Sequence, residues 1–168
     1  MNIALSTDHA GYTALKQLKQ FLEAHGHTTV DFGPKSFDAN DDYPDFIFPA
    51  AQAVARGECD YGIIFGGSGQ GEAMAANRIK GVRCAVFYGP AVAVDAVDAD
   101  GTKSDDPYEI LKLSRSHNHA NMLSLAGRFL TEEQVAHAAE VWLGTLYSDE
   151  PRHVKRVAKL DVTTSEAG

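Results

Sequence analysis

The chain has 168 residues, enough for one compact domain to bury a core without disulfide or metal staples. Its 15 Lys and Arg against 23 Asp and Glu give a formal charge of −8, which repels phosphate backbones and anionic membranes, so no nucleic acid and no membrane is expected as a partner. A charge arrives at Asp8, too early for a signal segment, and no run approaches the roughly 20 apolar residues of a membrane span; a soluble, cytoplasmic protein is expected. Cys59 and Cys84 stand in separate apolar contexts, as buried thiols of a reducing compartment would.

The elements alternate in chain order. "NIALST" reads as a strand, and "GYTALKQLKQFLEAHG" follows as a helix, with Leu15, Leu18 and Leu22 at helical spacing and Gly26 to close it. "TTVDFG" is the second strand and "DFIFPAAQAVARGE" the second helix. The third pair is "YGIIFGG" and "GEAMAANRIKG". "VRCAVFY", a helical stretch, "NMLSLAG" and "TEEQVAHAAEVWLGTLY" complete the series, with Trp142, Val141 and Leu146 on one apolar stripe. "PRHVKRV" makes a last helix with Pro151 at its first position, so that Arg152 and Arg156 share a face. This alternation predicts an α/β fold, three-layer α/β/α, with a Rossmann-like doubly wound sheet of five parallel strands. Residues 1–160 form the expected single domain, and 161–168 a frayed tail.

In such sheets ligands sit beyond the carboxyl ends of the strands. Those ends hold Asp8 and His9, the loop Gly66 to Glu72, Tyr88 to Pro90, and Arg128. Gly66, Gly67, Gly69 and Gly71 allow close backbone approach and an anion-binding nest of N–H groups. A dinucleotide fingerprint on Gly67 and Gly69 fails because Glu72 stands where a third glycine is required, and no Gly-Lys-Ser/Thr follows. A nucleophile elbow centred on Ser68 fails at Gln70. Glu72 remains open to two readings, a helix-capping carboxylate with Gly69 as N-cap, or a proton acceptor. The Arg152 and Arg156 pair is likewise open, either a dianion site or ordinary surface ion pairs. His117 and His119 lack a further carboxylate or Cys at ligand spacing, so no metal is expected.

"TDHAGYTALK", "DYPD", "GGSGQGEAMAANRIKGVRCA", "SRSHNHANMLSLAGR" and "PRHVKRV", in this order, resemble the type B ribose-5-phosphate isomerases, a family that also holds galactose-6-phosphate isomerase subunits. The resemblance implies an aldose–ketose isomerisation of a phosphorylated sugar through a cis-enediolate, without metal or cofactor. Many members carry a base cysteine where Gly66 stands here. The chain instead resembles the branch that lacks it and places a glutamate at the loop's exit, which makes Glu72 the implied base. A carboxylate shielded from water can have its pKa raised for that task. Asp8 and His117 match the ring-opening pair, and Ser68 a loop hydroxyl contacting the sugar. Asn118 and Tyr43 lie near the sugar, and the N–H groups of Gly67, Gly69 and Gly71 face the enediolate oxygen. His9, Arg128, Arg152 and Arg156 match phosphate ligands.

Against the family's short members, residues 95–108 read as an insertion, a solvated loop bordering the site or a subunit contact. The resemblance further implies a homodimer, in some members paired into a tetramer, with the segment holding His117, Asn118 and Arg128 approaching the partner's loop. Ribose 5-phosphate is the expected substrate; allose 6-phosphate, galactose 6-phosphate and a tetrose phosphate are alternatives, because selectivity lies in pocket depth. A non-catalytic phosphate or nucleotide-binding module is the alternative of another class. Glu72, Asp8 and His117 argue against it, since a binder has no use for a base and a ring-opening pair.

Overall fold

A computed structural model describes residues 1–160; the tail expected to fray, 161–168, lies outside them. The described chain falls into two compact units, Met1–Gly89 with Ala120–Ala136, and Pro90–His119 with the residues from His137 onward. No helix is long and apolar enough to cross a membrane, among the described residues.

The first unit is built on five parallel strands, β1 (Asn2–Ser6), β2 (Thr28–Asp31), β3 (Tyr61–Gly66), β4 (Cys84–Phe87) and β5 (Met122–Ala126), in the order β2-β1-β3-β5-β4. The three central strands are apolar almost throughout because both faces are covered. Helices α2 (Pro44–Ala55) and α3 (Gln70–Ala76) cover one face, where Ile47, Ala50 and Ala51 pack with Ala4, Ile64 and Met122. Side chains alternate across a strand, so Ile3, Leu5, Ile63 and Phe65 point to the other face, toward α1 (Tyr12–Ala24) with its buried Leu15, Leu18 and Leu22. From β1 the chain passes to β2 on one side, and from β2 it crosses to β3 on the other side of β1. Their carboxyl ends form the switch point, and Asp8 and the glycine loop stand there.

Helix α3 is shorter than the sequence predicts. It stops where the Asn77 amide turns aside to pair with the backbone of Cys84, donating to its carbonyl at 2.9 Å and accepting from its N–H at 2.8 Å. Cys59 is buried as expected, but Cys84 is only half-buried, because β4 is an edge strand. Helix α5 (Glu132–Gly144) runs from the first unit into the second.

In the second unit, α4 (Glu109–Ser116) buries Leu111 and Arg115. Trp142 of α5 is wholly buried there; its indole N–H donates to Ser114 Oγ at 3.1 Å, and the Arg115 guanidinium lies 5.2 Å from its ring centroid. The expected stripe does not extend to Leu146. That residue lies past the helix end and is exposed. Residues 95–108 form a loop without strand or regular helix, with Asp98 Oδ1 accepting from the N–H groups of Asp100 and Thr102. Helix α6 (Pro151–Leu160) begins at Pro151, as the sequence predicts.

Gly11 closes a 3-10 turn, His9–Gly11, and a Cβ there would fall on Thr7 Oγ1 and Phe65 Cβ. Gly11→Ala should therefore cost about 1–3 kcal/mol, read from the urea midpoint. Gly144→Ala, whose Cβ meets open space, should change stability by less than about 0.5 kcal/mol.

Candidate active site

The glycine loop is held from beneath by β5. Parallel pairing runs past the strand ends, with Gly127 N–H donating to Gly66 O at 2.9 Å and Arg128 N–H to Gly67 O at 3.1 Å. Buried Ser124 donates its hydroxyl to Gly69 O at 2.7 Å. Gly69 sits at φ +73°, and a Cβ there would come within 2.9 Å of Ser124 Oγ; a glycine is required twice over. It is the N-cap of α3, which puts Glu72 at the third helical position.

Glu72 is 5 % exposed, and its carboxyl occupies the space a side chain at Gly66 would need: a Cβ built on Gly66 falls onto it. No hydrogen bond ties the carboxyl back to the Gly69 N–H, so the reciprocal cap is not formed. Burial pushes its pKa above the usual carboxylate range against the pull of its own backbone N–H, and nearby Asp8 adds to the rise while His9 opposes it.

Around the loop stand other residues singled out from the sequence. Asp8, just past β1, is buried and accepts from the Ala10 N–H at 2.9 Å, which fixes its carboxylate. Tyr43, at the start of α2, lies over Gly71: a Cβ on that glycine would be 2.9 Å from the ring's Cζ. Arg128 lies over Gly67 in the same way, with Nε 3.2 Å from the Cβ position. This places the Arg128 side chain beside its own chain's loop. Ser68 is exposed at the loop's tip. His9 Nδ1 is 2.7 Å from Asp41 Oδ1, a residue that the sequence did not single out among the acids of "DANDDYPD". Asp8, His9 and Asp41 are also the described residues that could hold a cation, with ligand atoms within 4.8 Å of one another.

The remaining residues belong to the second unit. His117 caps the C-terminus of α4, and its ring lies 4.1 Å, centroid to centroid, from that of buried His153, which hydrogen-bonds Ser148 Oγ at 3.0 Å. Burial holds the His117 pKa below the usual histidine value, with His153 and Arg152 adding to the fall and Glu150 and Asp98 opposing it. Asn118 is exposed. Arg152 and Arg156 are four apart on α6; Arg152 Nε is 3.0 Å from Glu150 Oε2, close enough for an ion pair but not aligned as a hydrogen bond, and Arg156 is exposed. Although Cys84 as a residue is half-exposed, its thiol is withdrawn from water, which raises its pKa, and the Glu72 carboxyl adds to the rise, so the sulfur favours its neutral, unreactive form.

The first unit thus assembles a buried carboxylate of raised pKa, a second fixed carboxylate, a glycine loop and two cationic or imidazole groups. Such a set can move a proton beside a polarised oxygen. The family profile described as Ribose/Galactose Isomerase matches residues 3–103 and 106–160. A ribose-5-phosphate isomerase B of Mycolicibacterium paratuberculosis is 34 % identical over 157 residues, covering 94 % of this chain and 87 % of that protein. A probable ribose-5-phosphate isomerase B of Mycoplasma genitalium is 34 % identical over 160 residues, covering 95 % of this chain and 93 % of its own length. The crystal structure of the Mycoplasma genitalium enzyme with bound ribulose-5-phosphate superposes with a TM-score of 0.81, covering 95 % of this chain and 93 % of that one. The enzyme of Thermotoga maritima gives 0.80 at 31 % identity, covering 95 % and 97 %. Sequence match and superposition both run through the sheet and the glycine loop, and the chain belongs to the ribose/galactose isomerase family.

Proposed function

We propose that the protein is an aldose–ketose isomerase that converts ribose 5-phosphate to ribulose 5-phosphate through ring opening and a cis-enediolate, with Glu72 as the base. The observation that carries this reading is the Glu72 carboxyl, buried in the space that a side chain at position 66 would fill. The resemblance puts the family's base cysteine at that position, so the glutamate delivers a proton acceptor to the same place from the loop's other end. The chain is thus read as a member of the cysteine-lacking, glutamate-base branch.

In this mechanism Asp8 and His117 pass a proton between the ring oxygen and the anomeric hydroxyl. The neutral imidazole favoured at His117 suits that shuttle. Glu72 then takes the C2 proton and returns it to C1, while Ser68 and the N–H groups of Gly67, Gly69 and Gly71 stabilise the enediolate oxygen. Tyr43 and Asn118 hold the sugar. His9, Arg128, Arg152 and Arg156 bind the phosphate, for which the guanidinium fork is well shaped.

Residues 1–160 are read as one isomerase domain, since the family match runs through both units; residues 95–108 are read as an insertion against the family's short members. Asp98 of that segment is within electrostatic reach of His117 and Arg152, which supports an insertion bordering the site. The working assembly is a cytoplasmic homodimer, or a pair of dimers, in which the segment holding His117, Asn118 and Arg128 approaches the partner's loop.

Glu72→Gln should bind ribose 5-phosphate yet lose C2 deuterium exchange by about 10²–10⁴. A folded variant that exchanges at the parental rate would make Glu72 a structural residue and end the proposal. Gly66→Ala should be nearly as inactive, since its methyl displaces the carboxyl.

The pH profile follows from the raised Glu72 pKa. The base must be ionised, so kcat should climb with pH through a value above the ordinary 4.5. Stability runs the other way: the Glu72 contribution is fully present below its unfolded pKa and is lost as pH rises through the folded one. Glu72→Gln should therefore gain in Tm over the parent as pH rises above 4.5, measured by calorimetry across the range.

Arg152→Ala and Arg156→Ala should each weaken phosphorylated substrates by about 1.5–3 kcal/mol and leave unphosphorylated ribose unaffected. A panel of ribose 5-, allose 6-, galactose 6- and tetrose phosphates, compared by kcat/KM, assigns the sugar. Conversion of none of them would favour a phosphate-binding module.

A further inference from the structure

Asp41, in the loop before α2, is the acid most closely tied to the candidate site that the family resemblance does not name. Its Oδ1 accepts from the backbone N–H of His9 at 3.1 Å and lies 2.7 Å from His9 Nδ1. Its side chain is 8 % exposed, and the buried Oδ2 has no hydrogen-bond partner. A carboxylate withdrawn this far from water needs a countercharge, and the imidazole ring in contact with it is the nearest one available.

We propose that Asp41 is a positioning residue that clamps His9 by backbone and ring together, leaving Nε2 as the ring nitrogen that faces the substrate's phosphate. The inference rests on the proposed role of His9 as a phosphate ligand. A ring whose Nδ1–H is engaged by a carboxylate is fixed in orientation and can donate only through Nε2. The ring edge of Phe37, 6.5 Å away between centroids, adds a wall beside it.

Charged groups reach His9 from four elements. Asp41 comes from the loop before α2, Asp8 from the end of β1 with Oδ2 3.7 Å from Nδ1, Arg128 from the loop after β5, and Glu72 from α3. The Asp41 hydrogen bond is the largest influence and raises the His9 pKa; partial burial opposes it, Asp8 adds, and Arg128 subtracts. His9 is thereby kept charged as pH rises past the point where a free histidine goes neutral.

The test compares Asp41→Asn with the parent and with His9→Ala. In the parent, the His9 ring nitrogens followed by NMR should report Nδ1 protonated and hydrogen-bonded, with the ring titrating above a free histidine, and a ring that titrates at or below the free value overturns the proposal. In Asp41→Asn the His9 titration should move to lower pH. KM for ribose 5-phosphate at about pH 7.5 should rise roughly tenfold with kcat changed by less than about threefold, and the pH at which KM begins to climb should fall with the titration. An unmoved titration, or a KM profile that superposes on the parent's, overturns it. Inorganic phosphate separates the two levels of the argument. If His9→Ala binds it as the parent does, the phosphate role of His9 fails and the inference falls with it. If His9→Ala loses it while Asp41→Asn does not, His9 stands and the clamp alone is wrong.

Discussion

The site depends on the lateral pairing that carries β5 beyond its own end and onto the glycine loop. A loop with four glycines in six residues would ordinarily sample many conformations. Here three hydrogen bonds from β5 and its exit hold it: Ser124 to Gly69, Gly127 to Gly66 and Arg128 to Gly67. Because Gly66 and Gly69 are fixed, α3 begins at a set point and Glu72 arrives one turn later in a set direction. Preorganised donors and a shielded base are what proton transfer beside a carbonyl requires, since the environment then need not reorganise as charge develops. The sheet supplies that stiffness at its centre, where both faces are buried.

Electrostatics are divided along the same lines. Glu72 is made basic by loss of water more than by any neighbour, whereas His9 is made cationic by one specific carboxylate. His117 is moved the opposite way, toward its neutral form, by burial and by a second imidazole. Three titratable groups with ordinary values within about two units of one another are thus moved in different senses, Glu72 and His9 upward and His117 downward. A protein with net charge −8 obtains an anion-compatible site by this local sorting, not by its overall field.

Much of the architecture was legible because its causes are local. Period-two and period-3.6 patterns gave the strands and helices in order, and the strand ends pointed to Asp8, the glycine loop and Arg128. What stayed hidden was set by tertiary contact. Four acids lie between Asp38 and Asp45, and nothing in "DANDDYPD" marks Asp41 as the one that meets a residue 32 positions away. The early stop of α3 depends on an amide reaching across to β4, and Leu146 fell off its stripe because the helix ended two residues before it. The sequence also read the glycines as donors of N–H groups, which is half of their role. The packing adds that they are gaps, each filled by another residue: Glu72 at Gly66, Arg128 at Gly67, Ser124 at Gly69 and Tyr43 at Gly71.

The gap at Gly66 bears on how such a catalyst could change its chemistry over generations. Because the Glu72 carboxyl and any side chain at 66 compete for one volume, neither residue can be replaced alone without loss. A cysteine introduced at 66 expels the Glu72 carboxyl, and a shortened residue at 72 leaves a void in its place. With Glu72 as the proposed base, each single change removes the proton acceptor, so a lineage would cross between the two arrangements only by changing both positions together or by carrying a spare copy through the gap. Residues 66 and 72 should accordingly behave as one inherited unit, six positions apart in the chain but a single choice in space.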